Sequence, residues 1–107
     1  MNILKIVNGD IEIRDLNGGY VRAIQTQSGR DAVSAEFNSN QTLIAITTKS
    51  GNIEIRDSNG GYVREIQTQS GRGDATNARW VGEDIAITTK KGTTELRDKN
   101  GYYIRTL

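Results

Sequence analysis

The residues from Ile11 to Arg30, IEIRDLNGGYVRAIQTQSGR, return from Ile53 to Arg72 as IEIRDSNGGYVREIQTQSGR, changed only at Leu16/Ser58 and Ala23/Glu65. A further copy opens at Thr94 as TELRDKNGYYIRTL and runs to Leu107. The offsets, 42 residues from Ile11 to Ile53 and 41 from Ile53 to Thr94, identify a repeat architecture. In such a chain one unit cannot bury its own apolar face, and neighbouring units complete it.

Within a unit the apolar residues alternate. Ile11-Glu12-Ile13-Arg14 and Ile53-Glu54-Ile55-Arg56 have the period of a half-buried strand, while Leu43-Ile44-Ala45-Ile46-Thr47-Thr48 and Ile85-Ala86-Ile87-Thr88-Thr89 are β-branched runs. Val33, Ala35 and Phe37 fall on one face of a further strand, matched by Thr76, Ala78 and Trp80. Lys49-Ser50-Gly51-Asn52 and Lys90-Lys91-Gly92 read as hairpin turns. Asn17-Gly18-Gly19, Asn59-Gly60-Gly61 and Asn100-Gly101 supply residues suited to positive φ in the next turn.

Four strands therefore make one unit: Asp31 to Asn38, Thr42 to Thr48, Asn52 to Asp57 and Tyr62 to Thr68. A second set runs from Asp74 to Leu107. Ahead of both lies an incomplete set, Asn2 to Val7, Ile11 to Asp15 and Tyr20 to Thr26, bringing the expected total to eleven strands. Either its first strand is lacking, or Asn2 to Val7 shifts inward and an outer strand is lacking.

These residues resemble the WD-repeat β-propeller family, whose blade is a four-stranded antiparallel sheet repeating every 40 to 45 residues or so. The family's Gly turn, alternating strand and aromatic-Asp pair resemble Gly51-Asn52-Ile53-Glu54-Ile55-Arg56-Asp57, and its next phrase resembles Gly61-Tyr62-Val63-Arg64-Glu65-Ile66. The aromatic ending the family's innermost strand matches Phe37 and Trp80. Arg14, Arg56 and Arg97 stand where the family has Trp, and no Gly-His pair exists because the chain has no His. The resemblance implies an all-β fold of propeller blades, divided as an incomplete first blade over 1–30, a second over 31–72 and a third over 73–107. Propellers close with roughly four to eight blades, so the expectation is ring completion by homo-oligomerisation. A six-bladed homodimer is the leading arrangement and a trimer the alternative, two-fold symmetry being commonest among homo-oligomers.

Composition narrows the functional classes. Fourteen Lys+Arg against 13 Asp+Glu leave a net charge of +1, so no long-range field draws in a phosphate backbone or an anionic membrane surface. Neither nucleic acid nor membrane is an expected partner. The absence of Cys and His removes disulfides, thiolate nucleophiles and the usual transition-metal ligands. No metal or cofactor is expected, and no targeting signal is seen, so a cytoplasmic or otherwise soluble location is the default. The 12 glycines and absent prolines suit a chain of tight turns.

Candidate sites are all repeat positions. Tyr20, Tyr62 and Tyr103 are the aromatic candidates for a sugar platform, though a Tyr opening a strand is more often a packing residue. Gln25, Gln27 and Arg30, returning as Gln67, Gln69 and Arg72, lie in polar runs linking one unit to the next and form the best candidate for a repeated binding surface. Arg14-Asp15, Arg56-Asp57 and Arg97-Asp98 read as structural: Asp caps the following Asn-Gly turn, while Arg covers a strand or pairs with the preceding Glu. Phe37 and Trp80 read as packing between blades. Arg72-Gly73-Asp74 matches an integrin-recognition tripeptide, but the first copy lacks its Gly and the match is common by chance. No set of unlike catalytic groups is concentrated at one point, so an enzyme is not expected. The resulting function is a non-enzymatic scaffold presenting repeated loops to a protein partner. The alternatives are a lectin-like propeller with one glycan site per repeat and a young or engineered repeat protein without a selected ligand.

Overall fold

In a computed structural model describing residues 1–107, the chain forms eleven strands in three antiparallel sheets. The first sheet holds β1 (Asn2–Val7), β2 (Asp10–Asp15) and β3 (Tyr20–Ile24). The second holds β4 (Ala32–Phe37), β5 (Leu43–Thr48), β6 (Ile53–Asp57) and β7 (Tyr62–Ile66). The third holds β8 (Ala75–Val81), β9 (Asp84–Thr89), β10 (Thr94–Arg97) and β11 (Tyr103–Thr106). Every sheet is ordered as the chain runs, so short turns suffice. No helix long and apolar enough to cross a membrane is present.

Register decides which strand the first sheet lacks. Asn2 pairs with Asp15 and Ile3 with Arg14, as Leu43 pairs with Asp57 and Ile44 with Arg56. β1 is thus the counterpart of β5. The absent strand is the innermost, the place held by β4 and β8, and the alternative with an absent outer strand does not apply.

Two cores lie between successive sheets. The first contains Ile11, Ile13, Ile24, Ala32, Ile44 and Ile46, flanked by Leu4, Ile6, Ala35 and Phe37. The second contains Ala45, Ile53, Ile55, Ile66, Ala75, Ala78, Ile85 and Ile87, flanked by Leu43, Val63 and Trp80. β5 serves both: its two-residue period sends Ile44 and Ile46 to one side and Ala45 to the other. A strand buried on both faces reads as a continuous apolar run, which explains Leu43–Thr48. Stiff β-branched isoleucines lose little χ1 freedom on such a pleated surface.

One expected face is corrected. Val33 does not share a side with Ala35 and Phe37; it is 51% exposed, whereas Ala32 is buried. The register slips between Ala32 and Ser34, and again between Ala75 and Asn77. A bulge places two residues against one and so breaks strict alternation.

The outward faces of the two end sheets differ from these cores. By the repeat alignment, Lys5 takes the position of Ile46 and Ile87, and Thr94 that of Ile11 and Ile53. Lys5 is exposed and Thr94 half-buried.

Candidate functional site

The strands present two ends, and chemistry recurs at both. At the end carrying the β2–β3, β6–β7 and β10–β11 turns, Asp57 Oδ1 accepts from the N–H groups of Asn59 and Gly61, both at 2.9 Å. Asp15 does the same with Asn17 and Gly19, and Asp98 with Asn100 and Tyr102. Gly60, at φ +91°, supplies the left-handed residue of the turn. Arg56 donates to Glu54 at 3.0 Å and to the Gly60 carbonyl at 3.1 Å, and lies 5.4 Å from the centroid of the Tyr62 ring. Arg14 and Arg97 repeat this arrangement on Tyr20 and Tyr103, at 5.6 and 5.4 Å. Each Arg-Asp pair, and the inner side of each Tyr ring, is committed to holding its own turn.

At the opposite end two loops connect successive sheets. Thr26 and Thr68 are buried, whereas Gln25, Gln27 and Arg30 on one loop and Gln67, Gln69 and Arg72 on the other are exposed. The Thr26 hydroxyl donates to Asp31, and that of Thr68 to Asp74 at 3.1 Å. The loops turn back at Gly29 and Gly71, whose N–H groups donate to the carbonyls of Thr26 and Thr68. From the following sheet, Glu54 Oε2 accepts the Gln27 N–H at 3.0 Å and Glu95 Oε2 that of Gln69 at 2.9 Å. Glu54 and Glu95 are 3% exposed, and their other oxygens are held by Arg56 and Arg97. A carboxylate on β6 or β10 therefore sets the position of a loop belonging to the previous sheet. Nothing local in the sequence signals this contact, since Gln27 and Glu54 are 27 residues apart.

The two groups of candidate residues are not brought together. Tyr62 opens β7 and Gln67 follows its end, so they stand at opposite ends of a five-residue strand, roughly 17 Å apart at about 3.4 Å per residue. A glycan site combining Tyr and Gln from one repeat is not formed. In the Arg72-Gly73-Asp74 tripeptide the Gly73 N–H donates to Asn52 and Asp74 accepts from Thr68, while Arg72, exposed, pairs with Glu65 at 2.9 Å.

Concave space is scarce. The cleft between the β4–β5 and β8–β9 turns, lined by Asn38, Asn40, Thr42, Trp80, Glu83 and Lys99, encloses about 90 Å³. Small-molecule sites usually need about 300 Å³ or more, more than this cleft encloses. The exposed loop face is the candidate.

No protein-family model and no curated protein sequence matches the chain. Solved structures do. The crystal structure of the mitotic checkpoint complex contains a chain matched with a TM-score of 0.77 at 15% identity, over 99% of this chain and 33% of that one. The structure of the Neurospora crassa Pan2 WD40 domain is matched at 0.75 and 19% identity, over 99% and 32%. This chain spans about a third of the length of each. Its sheets have the fold of WD-repeat-like propeller blades.

Proposed function

We propose that the chain is a non-enzymatic interaction module in which rigid blades present the loops Gln25–Arg30 and Gln67–Arg72 to a protein partner. The observation carrying this reading is the pair of Glu54 and Glu95 anchors, which fix each loop's backbone while its Gln and Arg side chains stay in water. Preorganised loops lose less conformational freedom on binding. The acidic side chains that anchor or adjoin these loops are already engaged, Glu54 and Glu95 by arginine and Asp74 by Thr68, which argues against acid-base work by them. Affinity capture with the native chain and with a variant carrying Gln27→Ala, Arg30→Ala, Gln69→Ala and Arg72→Ala tests it. Proteins retained by the first and released by the second are expected; identical capture by both refutes the loop face. A glycan array that lights up with the native chain would move the assignment to the lectin reading.

The module is completed by further blades, with units at 1–30, 31–72 and 73–107 and a second copy closing a six-bladed ring. Two internal joints support this reading. Arg22 donates to the Asn59 carbonyl at 3.2 Å, and Arg64 to the Asn100 carbonyl at 3.1 Å. Their counterparts at the chain's ends, Arg105 and the Asn17 carbonyl, have no partner within the chain and are complementary to each other. Because Lys5 and Thr94 replace core isoleucines, the joint between copies is less apolar than those within. Association is therefore concentration-dependent. Light scattering over a dilution series should show the 11.8 kDa chain give way to its dimer, and Arg105→Ala should shift that transition to higher concentration. A mass of one chain at every concentration refutes ring completion by self-association, and a trimer corrects the number.

A further inference from the structure

The first sheet ends at β1, and a single side chain from the next sheet occupies the start of its open edge. Gln41 Oε1 accepts the Asn2 N–H at 2.9 Å, and Gln41 Nε2 donates to the Asn2 carbonyl at 2.9 Å. In the second sheet the equivalent residue, Leu43, is held by Asn38 in the same way: its carbonyl accepts the Asn38 N–H, and its own N–H donates to Asn38 Oδ1. The Gln41 amide thus stands where an innermost strand would place a residue. Gln41 is held at φ +58°, a region uncommon for residues other than glycine. Antiparallel alternation puts the N–H and C=O groups of Leu4 and Ile6 on the same edge as those of Asn2. Their counterparts, Ala45 and Thr47, lie opposite Glu36 and Ser34 of β4, but no strand lies opposite Leu4 and Ile6.

We propose that this edge is a strand-docking site, taking an extended segment of a partner polypeptide antiparallel to β1 as β4 lies beside β5. Register specifies the segment's chemistry. Phe37 pairs with Ile44, whose counterpart is Ile3, a side chain 47% exposed; an aromatic residue of the partner strand covers it. Two positions earlier, the partner residue lies opposite Lys5, where the second sheet has Ile46 paired with Ala35. An acidic residue fits there, because opposite charges facing each other across strands attract. The partner is therefore an extended segment reading acidic, any residue, aromatic. Unpaired edges recruit strands in this manner. The site is separate from the loop face; it shares the outward side of Ile3 and Lys5 with the joint between copies, so the test is run at a concentration where the mass is that of one chain.

The probe is a blocked synthetic peptide with the sequence of Asp31–Asn40, and the same peptide carrying Ala35→Glu, each added to the full chain. Both should bind one to one, the acidic version about two- to fivefold tighter. At a hundredfold excess over Kd they should raise the melting temperature by about 10 °C. Methylating the amide nitrogens at the Ser34 and Glu36 positions of the peptide should abolish binding. Gln41→Ala should melt below the native chain, and saturating peptide should close that gap, because the peptide's Asn38 replaces both lost bonds. No binding of either peptide at millimolar concentration overturns the proposal, as does binding indifferent to methylation; a gap that persists overturns the register.

Discussion

Glu54 and Glu12 occupy the same repeat position, make the same ion pair and differ in what covers them, so replacing each by Ala isolates the value of a neighbouring sheet. The Glu54 and Arg56 side chains are 3% and 12% exposed, against 20% and 32% for Glu12 and Arg14. Glu54→Ala leaves a nearly buried guanidinium with only the Gly60 carbonyl and strips the Gln27 N–H of its acceptor. Breaking one side of a buried pair costs about 3–5 kcal/mol. Glu12 has no loop N–H to hold, and its pair is partly buried but more exposed than that of Glu54, so its loss should lie nearer the about 0.2–1 kcal/mol of solvent-exposed pairs. With an m-value of about 1.5 kcal/mol per molar urea, ordinary for a small domain, Glu54→Ala should lower the unfolding midpoint by about 2 M or more and Glu12→Ala by under about 0.7 M. The comparison is made by urea titration at a concentration where the mass is that of one chain. Equal losses there would refute the claim that the neighbouring loop and sheet, rather than the Glu–Arg pair itself, carry the stabilisation.

Two further substitutions test the packing. Trp80→Ala should cost about 3 kcal/mol, the lower end for a large aromatic, because the side chain is only half-buried although its indole N–H donates to the Glu36 carbonyl at 3.0 Å; native fluorescence typical of a water-exposed indole, with an unchanged variant midpoint, would refute this. Gly51→Ala should destabilise strongly, since φ is +88° and the added Cβ would lie 2.5 Å from the Gly73 backbone, whereas at Gly82, φ +62°, it would meet nothing within 4 Å; equal thermal midpoints for the two variants would contradict the close approach of those turns.

What the sequence made legible was local. β5 and β9 announce themselves as β-branched runs, and Asp57 followed by Asn59-Gly60 announces its own turn, because every partner lies within four residues. Strand pairing was needed for the rest. By alternation alone Val33 shares a side with Phe37, and the bulge that displaces it exists only against β5. Gln41 looks like an ordinary turn residue; its two bonds cross 39 residues to another sheet. The Gln and Arg residues of the loops were marked by repetition, but the Glu54 anchor that orders them comes from a sheet the local pattern cannot place. The distance between Tyr62 and Gln67 could have been worked out from the strand between them, once that strand's direction was taken into account.

The anchored loops have a consequence for how tightly a repetitive partner could be held. Because Glu54 fixes the loop at Gln27 and Glu95 fixes the loop at Gln69, two near-identical contact surfaces sit at a spacing that does not fluctuate with a linker. A partner displaying two matching epitopes would meet the second loop at an effective concentration reaching the millimolar range once the first is engaged. Avidity of this kind gains from two weak contacts what one strong contact would otherwise supply, and it discriminates by the partner's periodicity rather than by any single residue.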